Sequence, residues 1–432
     1  MIAAEARQPP AFLPPLSAEP DPPSIVVGVT HPQTCLVLKG RLRALREAGF
    51  RVTLVSSPGR LLDCIAEEEG VESVSIPIER KIAPIADLAS LVRLWRLLRK
   101  IKPGVVEFST PKAGLLGTLA AMLCGVPTRV YMLRGLKLET ATGLKRFVLL
   151  AAERLAASCA HSVLCNSESL RAKAFALGVA PARKLHLLGN GSSNGVDSIR
   201  FSPGRSSVRA RLGLARDAFV IGFVGRLTRD KGLPELARAF DAILRAEPKA
   251  HLLLVGWFDK AEDALEDGLR AHIENHPHIH WTGFVEDAAP YYRAMDVMVL
   301  PTWREGFPNA VLEAASTGVP VITTVSTGSR DSVVPEVTGL LIPPGHPAAI
   351  TEAVLKLLHD PERRRRLGRA ARAWVIEYYA NGHVLGLTVA YYKSLLNLAP
   401  GESVRTAQVP QFVNPGRWRT APAARVYAAQ PQ

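Results

Sequence analysis

Asp296-Val297-Met298-Val299-Leu300-Pro301-Thr302-Trp303-Arg304-Glu305-Gly306-Phe307-Pro308-Asn309-Ala310-Val311-Leu312-Glu313 reads as a strand, a loop and the start of a helix. The apolar run from Asp296 to Leu300 has strand length. Pro308 suits a first helical turn, where its missing N–H is no loss. Ala310, Val311, Leu312 and Ala314 then favour helix. Glu305 therefore falls on the loop, and Glu313 one to two turns into the helix. In an open α/β sheet, ligands bind where strand ends meet helix starts, and the free N–H groups of a helix start attract anions. Two carboxylates at such a place suit a ligand with hydroxyls near a phosphate, as in a sugar nucleotide. The plainer alternative is one solvated Glu and one helix-surface Glu.

Working outward, short apolar runs and helical patterns alternate twice over. In the first half the runs are Ile25–Val29, Arg51–Val55, Val74–Ile76, Val105–Phe108, Thr128–Met132, Ser162–Cys165 and Leu185–Leu188. The second half restarts at Phe219–Val224. His251–Val255, Ile279–Thr282, Val297–Leu300, Val319–Thr323 and Gly339–Ile342 follow. This alternation predicts an α/β chain with two parallel sheets, each covered on both faces. The break between them lies at Asn194–Arg216, which is rich in Gly, Ser and Arg. Two such domains leave a cleft, a common place for a ligand.

A chain of 432 residues with 47% hydrophobic content fits two or three domains with large cores. The five cysteines form no C-x-x-C pair, and reduced thiols in the cytosol are the simplest reading. Residues 1–24 lack the pattern of a secretory signal and are expected to be a disordered tail, as are residues 399–432. No run reaches the length of a membrane span. The nearest, AGLLGTLAAMLCGV at 113–126, is read as a buried helix.

The net charge is +14. Residues 1–200 carry 26 Lys/Arg against 16 Asp/Glu, and the remainder 27 against 23, so the excess sits in the first half. Nucleic acid, an anionic membrane or an acidic ligand would each explain it. No nucleic-acid module signature is present, so nucleic acid is not expected as a partner. Arg93, Arg96, Arg99, Lys100 and Lys102, with Lys145 and Arg146, form basic helix faces that suit an anionic membrane surface or plain solvent.

The run Gly222–Gly232, GFVGRLTRDKG, closes a strand and opens a helix. Arg226 offers a fork and Lys231 a point charge, which together suit a diphosphate. A basic surface turn is the alternative. Gly189–Asp197, GNGSSNGVD, is glycine-rich, but no clear helix follows, so a turn into the linker is favoured. His272, His276, His278 and His280 lack the H-E-x-x-H order and read as a surface helix end rather than a metal site. No D-x-D follows a strand, so protein cations are expected to do the work of a bound metal.

With these motifs in place, the chain resembles the family 4 glycosyltransferases, retaining sugar-nucleotide transferases of the GT-B fold. GRLTRDKG, EGFPNAVLEA and NGVD carry the resemblance over about Ile25 to Leu398. STPKAGLLG, LRGLKLETATGLKR and LGNGSSNGVD are similar to a bacterial subgroup that builds surface polysaccharides on lipid carriers. The resemblance implies an N-terminal Rossmann-like acceptor domain at 25–200 and a C-terminal sugar-nucleotide domain at 201–380. A helix at 381–398 would return to the first domain.

It also implies roles. Arg226 and Lys231 would hold the donor diphosphate, with Gly225 beside them. Glu305 would lie by the donor sugar. Backbone groups around Gly306, Phe307 and Asn309 would shape the sugar and phosphate site, and Glu313 would bind the ribose. Arg134, with Lys112 and Arg80, would serve the acceptor side.

The donor would be a UDP-sugar, with UDP-N-acetylhexosamine a candidate, and the acceptor a polyprenyl-diphosphate-linked saccharide at the inner face of the cytoplasmic membrane. No cofactor or metal would be needed. The chain departs from many relatives at Thr30-His31-Pro32-Gln33, where a Gly-Gly loop is common. It departs also at Glu107-Phe108 and at Arg134, where a His is common. An Arg at that place can stabilise developing phosphate charge. A GT-B sugar-nucleotide epimerase and a non-catalytic sugar-nucleotide-binding protein are the alternative readings.

Overall fold

The computed structural model describes residues 22–81, 83–259 and 263–396. The expectations for the two tails therefore lie largely outside the described residues, although Ser24 already belongs to the first strand.

Seven parallel strands form the first sheet: β1 (Ser24–Gly28), β2 (Arg51–Ser56), β3 (Glu72–Ser75), β4 (Val105–Ser109), β5 (Thr128–Leu133), β6 (Ser162–Cys165) and β7 (Leu185–Leu187). Their order is β3-β2-β1-β4-β5-β6-β7. Val27 stands opposite Leu54 on one side and Glu107 on the other. The second sheet holds β8 (Phe219–Val224), β9 (Ala250–Val255), β10 (Ile279–Trp281), β11 (Val297–Leu300), β12 (Val321–Thr324) and β13 (Gly339–Ile342). Its order, β10-β9-β8-β11-β12-β13, repeats the logic of the first. The order in which strands are added reverses between β1 and β4 in the first sheet and between β8 and β11 in the second, and such a switch point is where ligands bind.

The sequence forms these strands because both faces of each sheet are covered. Side chains alternate along a strand. Ile25 and Val27 enter one core with Leu42, Leu45, Leu62 and Ile65. Val26 enters the other with Leu94, Leu98 and Phe108. Near-continuous apolar runs are the signature of such doubly covered parallel strands. β8 is the extreme case, with Phe219 to Phe223 wholly buried.

The last helices bridge the halves. The helix Pro361–Tyr379 packs its Leu367, Ala371, Trp374 and Val375 into the second domain. The helix Asn381–Leu396 sends Tyr391, Tyr392 and Leu395 into the core of the first. Between them, Val196 of the linker pairs with the backbone of Tyr379 and Asn381 at 2.8 and 2.9 Å. The two crossings of the chain thus lie side by side as one hinge. GNGSSNGVD leads into this hinge, as the turn reading expects.

One local expectation changes. The helix after β11 runs Asn309–Ser316, and Pro308 is its N-cap residue (φ −81°, ψ 107°), one place earlier than the first helical turn. The extended ψ at Pro308 turns the chain so that Phe307 drops into the core while Gly306 faces the other domain.

Candidate active site

The C-terminal ends of β8 and β11 face the first domain across the cleft. After β8 the chain turns through Gly225 and Arg226 into a short 3-10 turn, Arg229–Lys231. Gly232 follows at φ +76°, and a Cβ there would lie 2.1 Å from the Pro301 carbonyl oxygen, so the turn requires glycine. This geometry points Lys231 at the loop after β11, where its Nζ donates to Glu305 Oε1. The Glu305 backbone N–H is in turn held by the Thr327 carbonyl at 3.0 Å.

Asp230 organises the cations. It is buried, and its Oδ1 accepts from the Thr228 hydroxyl at 2.6 Å. Its Oδ2 lies 3.0 Å from Arg304 Nη2 and 3.8 Å from Arg226 Nη2. Its carbonyl accepts from the Trp303 N–H at 3.0 Å and the Thr302 hydroxyl at 3.1 Å, tying the β8 loop to the β11 loop. Burial works against the Asp230 charge, yet Lys231, Thr228, Arg304 and Arg226 outweigh it and hold the carboxyl below its ordinary value.

Arg226 spans both domains' contributions. Its Nη1 donates to Asp259 Oδ2 at 2.9 Å, and Arg80 of the first domain reaches the same oxygen at 3.6 Å. Lys137, from the loop after β5, lies in the fields of Arg304, Arg80 and Arg226. Burial first, and then Arg304, lower its pKa despite the opposing field of Asp263. Arg80, Lys137, Arg226, Lys231 and Arg304 thus converge on one cleft. His31, after β1, faces it too: burial and Arg80 lower its pKa, against a smaller pull from Asp259.

The remaining expected residues are distributed as follows. Gly225 donates its N–H to the Val255 carbonyl at 2.9 Å. The Phe307 ring packs 5.2 Å from that of Tyr379, leaving only its backbone for a ligand. Asn309 is half-buried at the helix start. Glu313 accepts from the Tyr292 hydroxyl at 2.8 Å, and burial raises its pKa against that bond. Lys112 is held by Asp87 at 2.5 Å and by the Lys81 carbonyl, so its charge is matched within the first domain.

Arg134, expected on the acceptor side, is largely buried. Its Nε donates to the Ser109 hydroxyl at 3.0 Å and its Nη1 to that of Ser193 at 2.9 Å. Glu107 Oε1 lies 4.0 Å from its Nη2. Glu107, wholly buried in β4, also takes Arg41 and the Tyr392 hydroxyl. This network links the first sheet, the hinge loop and the returning helix. Burial lowers the Arg134 pKa to about 10, with Glu107 opposing and Arg41 assisting.

Asp230, Asp259, Arg304, Lys137 and His31 are site residues that sequence reasoning left without a role. Asp230 and Arg304 stand inside the two motifs already singled out. Their pairing across 74 residues is a product of strand order, which spacing does not reveal. Away from these loops, Asp241 joins His272 and His276, their ligand-type atoms lying within 4.8 Å of one another. The Nδ1 of His276 is already taken by the His278 N–H at 3.1 Å.

Residues 218–360 match the family described as glycosyl transferases group 1, and residues 39–191 the glycosyl transferase 4-like domain. The capsular polysaccharide biosynthesis glycosyltransferase CapM of Staphylococcus aureus is 36% identical over 87% of this chain and 98% of its own length. The UDP-Gal:α-D-GlcNAc-diphosphoundecaprenol α-1,3-galactosyltransferase of Escherichia coli is 29% identical over 77% of this chain and 88% of its own. Among solved structures, Anabaena HepE in complex with UDP-glucose superposes with a TM-score of 0.71 at 18% identity, covering 86% of this chain and 99% of that one. The chain belongs to the family 4 glycosyltransferases, with their GT-B fold.

Proposed function

We propose that this glycosyltransferase moves a sugar from a UDP-sugar to a polyprenyl-diphosphate-linked saccharide, with retention and without a metal, at the cytoplasmic face of the membrane in surface-polysaccharide assembly. The observation that carries the reading is the convergence of Arg80, Lys137, Arg226, Lys231 and Arg304 on the cleft at the β8/β11 switch point. Such a cluster offers guanidinium forks and ammonium donors to a nucleoside diphosphate, with Asp230, Asp259 and Glu305 holding the cations in place. The names of the Staphylococcus and Escherichia relatives support a polysaccharide product and a diphosphate-lipid acceptor.

In this mechanism the acceptor hydroxyl attacks C1 of the donor sugar from the face the leaving group departs. The C1–O bond to the phosphate breaks, the new C1–O bond forms, and the hydroxyl proton passes to the departing phosphate oxygen. Arg226 and Lys231 stabilise the charge on that phosphate. An ammonium has three donors, so Lys231 can keep Glu305 while binding phosphate and so fix the carboxylate beside the sugar. Glu313 has a second carboxylate oxygen with which to meet the ribose.

The test is incubation of the purified chain with labelled UDP-sugars, UDP-N-acetylhexosamines among them, and a polyprenyl-diphosphate saccharide. The expected result is transfer that survives a strong chelator and yields the donor's anomeric configuration. Epimer formation without acceptor, or binding without turnover, would replace this reading by one of the two alternatives. An absolute requirement for Mg²⁺ or Mn²⁺ would remove the metal-free mechanism.

A further inference from the structure

Two helices of the second domain approach each other on its outer side: Leu233–Ala246, after β8, and Asp267–Asn275, before β10. The second carries His272 and, at its C-cap, His276. Residues four apart stand on one helical face, and the His276 N–H donates to the His272 carbonyl at 3.0 Å, which keeps the last turn closed. The two imidazole centroids are 5.2 Å apart. Phe240 on the first helix meets the His276 ring edge-on at 5.8 Å, which sets the neighbouring Asp241 against the pair. The spacing of the histidines alone does not mark a metal, because no third ligand accompanies them in sequence. The fold brings one from the other helix.

His272 Nε2 is shut off from solvent and has no hydrogen-bond partner among the described residues. Asp241 Oδ1 stands 3.5 Å from it, beyond the roughly 2.7–3.2 Å range of an N–H···O bond. Two ligands of one tetrahedral zinc, each about 2.0–2.2 Å from the ion, stand about 3.3–3.5 Å apart. The ligand-type atoms of Asp241, His272 and His276 all lie within 4.8 Å of one another, so a rotation of the His276 side chain closes the set.

That rotation gives up one hydrogen bond. His276 Nδ1 accepts from the His278 N–H at 3.1 Å, and an imidazole that ligates a metal carries its proton on the other nitrogen. The metal therefore replaces this bond whichever nitrogen binds. His278 is half-buried, so water can meet its N–H. Asp241 and His272 also line a cavity of about 270 Å³ between the helices, with room for a water in a fourth position. Its charged walls balance, Asp241 and Glu266 against Arg229 and Arg238.

We propose that Asp241, His272 and His276 bind one zinc-class divalent cation, with water completing a tetrahedron. Two imidazoles and one carboxylate suit Zn²⁺, whereas Mg²⁺ and Ca²⁺ prefer oxygen ligands throughout. The ion joins the two helices near the start of β10, at the end of the strand away from the cleft. It acts on the stability of the second domain, and the metal-free transfer proposed above does not pass through it.

The full chain is stripped with a chelator, its exposed thiol Cys64 is alkylated, and Zn²⁺ is titrated in by calorimetry. One ion per chain is expected at micromolar or tighter affinity, with no binding of Mg²⁺ or Ca²⁺ at this site. Co²⁺ in its place should give the strong visible absorption of a tetrahedral ion. His272→Gln, His276→Gln and Asp241→Asn should each weaken Zn²⁺ binding by about tenfold or more. His278→Gln should leave it near wild type, since the bond to His276 uses the His278 backbone. At zinc about a hundredfold above its dissociation constant, thermal unfolding of wild type should move up by roughly 5–10 °C, and that of the ligand variants should not.

The wild-type titration and cobalt spectrum need no variant, so a substitution that fails to fold leaves the test intact. Absence of binding below millimolar zinc, or the weak spectrum of octahedral cobalt, would overturn the proposal and leave Asp241 and His272 as a plain ion pair. So would unchanged affinity in His272→Gln, or a loss in His278→Gln as large as in the ligand variants, which would place the ion elsewhere among the histidines. Failure of sugar transfer would remove the functional reading and leave the metal site standing.

Discussion

Asp230 is small and buried, yet it sets the positions of two arginines. Without it, Arg226 and Arg304 would repel each other across the β8 and β11 loops. With it, both guanidinium groups are held in advance in the cleft, so that under the proposed function little reorganisation would remain for the reaction. A charge-assisted hydrogen bond contributes about 1.5–3 kcal/mol. If the Arg226 bond acts mainly in the transition state, Arg226→Ala should lower kcat by about 10- to 150-fold. Steady-state kinetics with saturating donor will check this, and an unchanged kcat would remove Arg226 from the chemistry.

The two carboxylates should separate by kinetic parameter. A ribose contact is remote from the reacting carbon and binds ground and transition states alike, so Glu313→Gln should raise the donor KM and spare kcat. Glu305 lies beside Lys231, so Glu305→Gln should lower kcat. A Glu313→Gln enzyme with normal donor affinity and poor turnover would contradict the assignment.

At the scale of elements, strand positions follow from the apolar runs because parallel strands covered on both faces have almost no polar positions. β8, β11 and β13 fall on the residues expected from the runs. Partnership across elements was less legible. Glu107 sits in the middle of β4, where a carboxylate looks out of place until Arg41, from a helix, and Tyr392, from the far end of the chain, are brought beside it. Lys112 looked available in sequence because Asp87, 25 residues away, gave no sign of reaching it. Charge pairing depends on tertiary proximity, which periodicity does not encode.

Glu153, on the helix Gly143–Cys159, shows the same effect with a measurable consequence. Burial raises its pKa from about 4.5 to about 7, against the favourable Tyr131 hydroxyl. The fold therefore prefers the protonated form. At pH below 4.5 neither state is charged and there is no penalty. As pH rises toward 7 the unfolded chain ionises first, and stability falls by on the order of 3 kcal/mol at most, then levels off. Glu153→Gln keeps an acceptor for Tyr131 and removes this term. Denaturant unfolding should find the variant more stable than wild type at pH 8 and no more stable at pH 4. Equal differences at both pH values would show that Glu153 titrates normally.

At the scale of the molecule, the two domains touch directly over the site. Arg304 Nε donates to the Thr140 hydroxyl at 2.9 Å, the Thr327 hydroxyl to Glu139 at 2.7 Å, and the Gly328 N–H to the Ser169 hydroxyl at 2.7 Å. The Ser169 N–H donates to Asp331 at 3.0 Å. These polar contacts between two separately cored domains are of the kind that can break without unfolding either. For a sugar nucleotide and a lipid-linked acceptor, the substrates proposed above, opening about the Val196/Tyr379 hinge is expected in each cycle.

The tightest point is Gly306. A Cβ built there would lie 2.2 Å from the Arg134 carbonyl oxygen, which is backbone and cannot swing aside. Its φ is not left-handed, so alanine suits the local chain and disturbs only the approach of the domains. Gly306→Ala should therefore leave thermal unfolding near the wild-type temperature and favour the open arrangement. Small-angle scattering should show a larger radius of gyration than wild type, and kcat should fall about tenfold or more if closure completes the site. A variant of unchanged radius and full turnover would mean that catalysis does not need the domains this close.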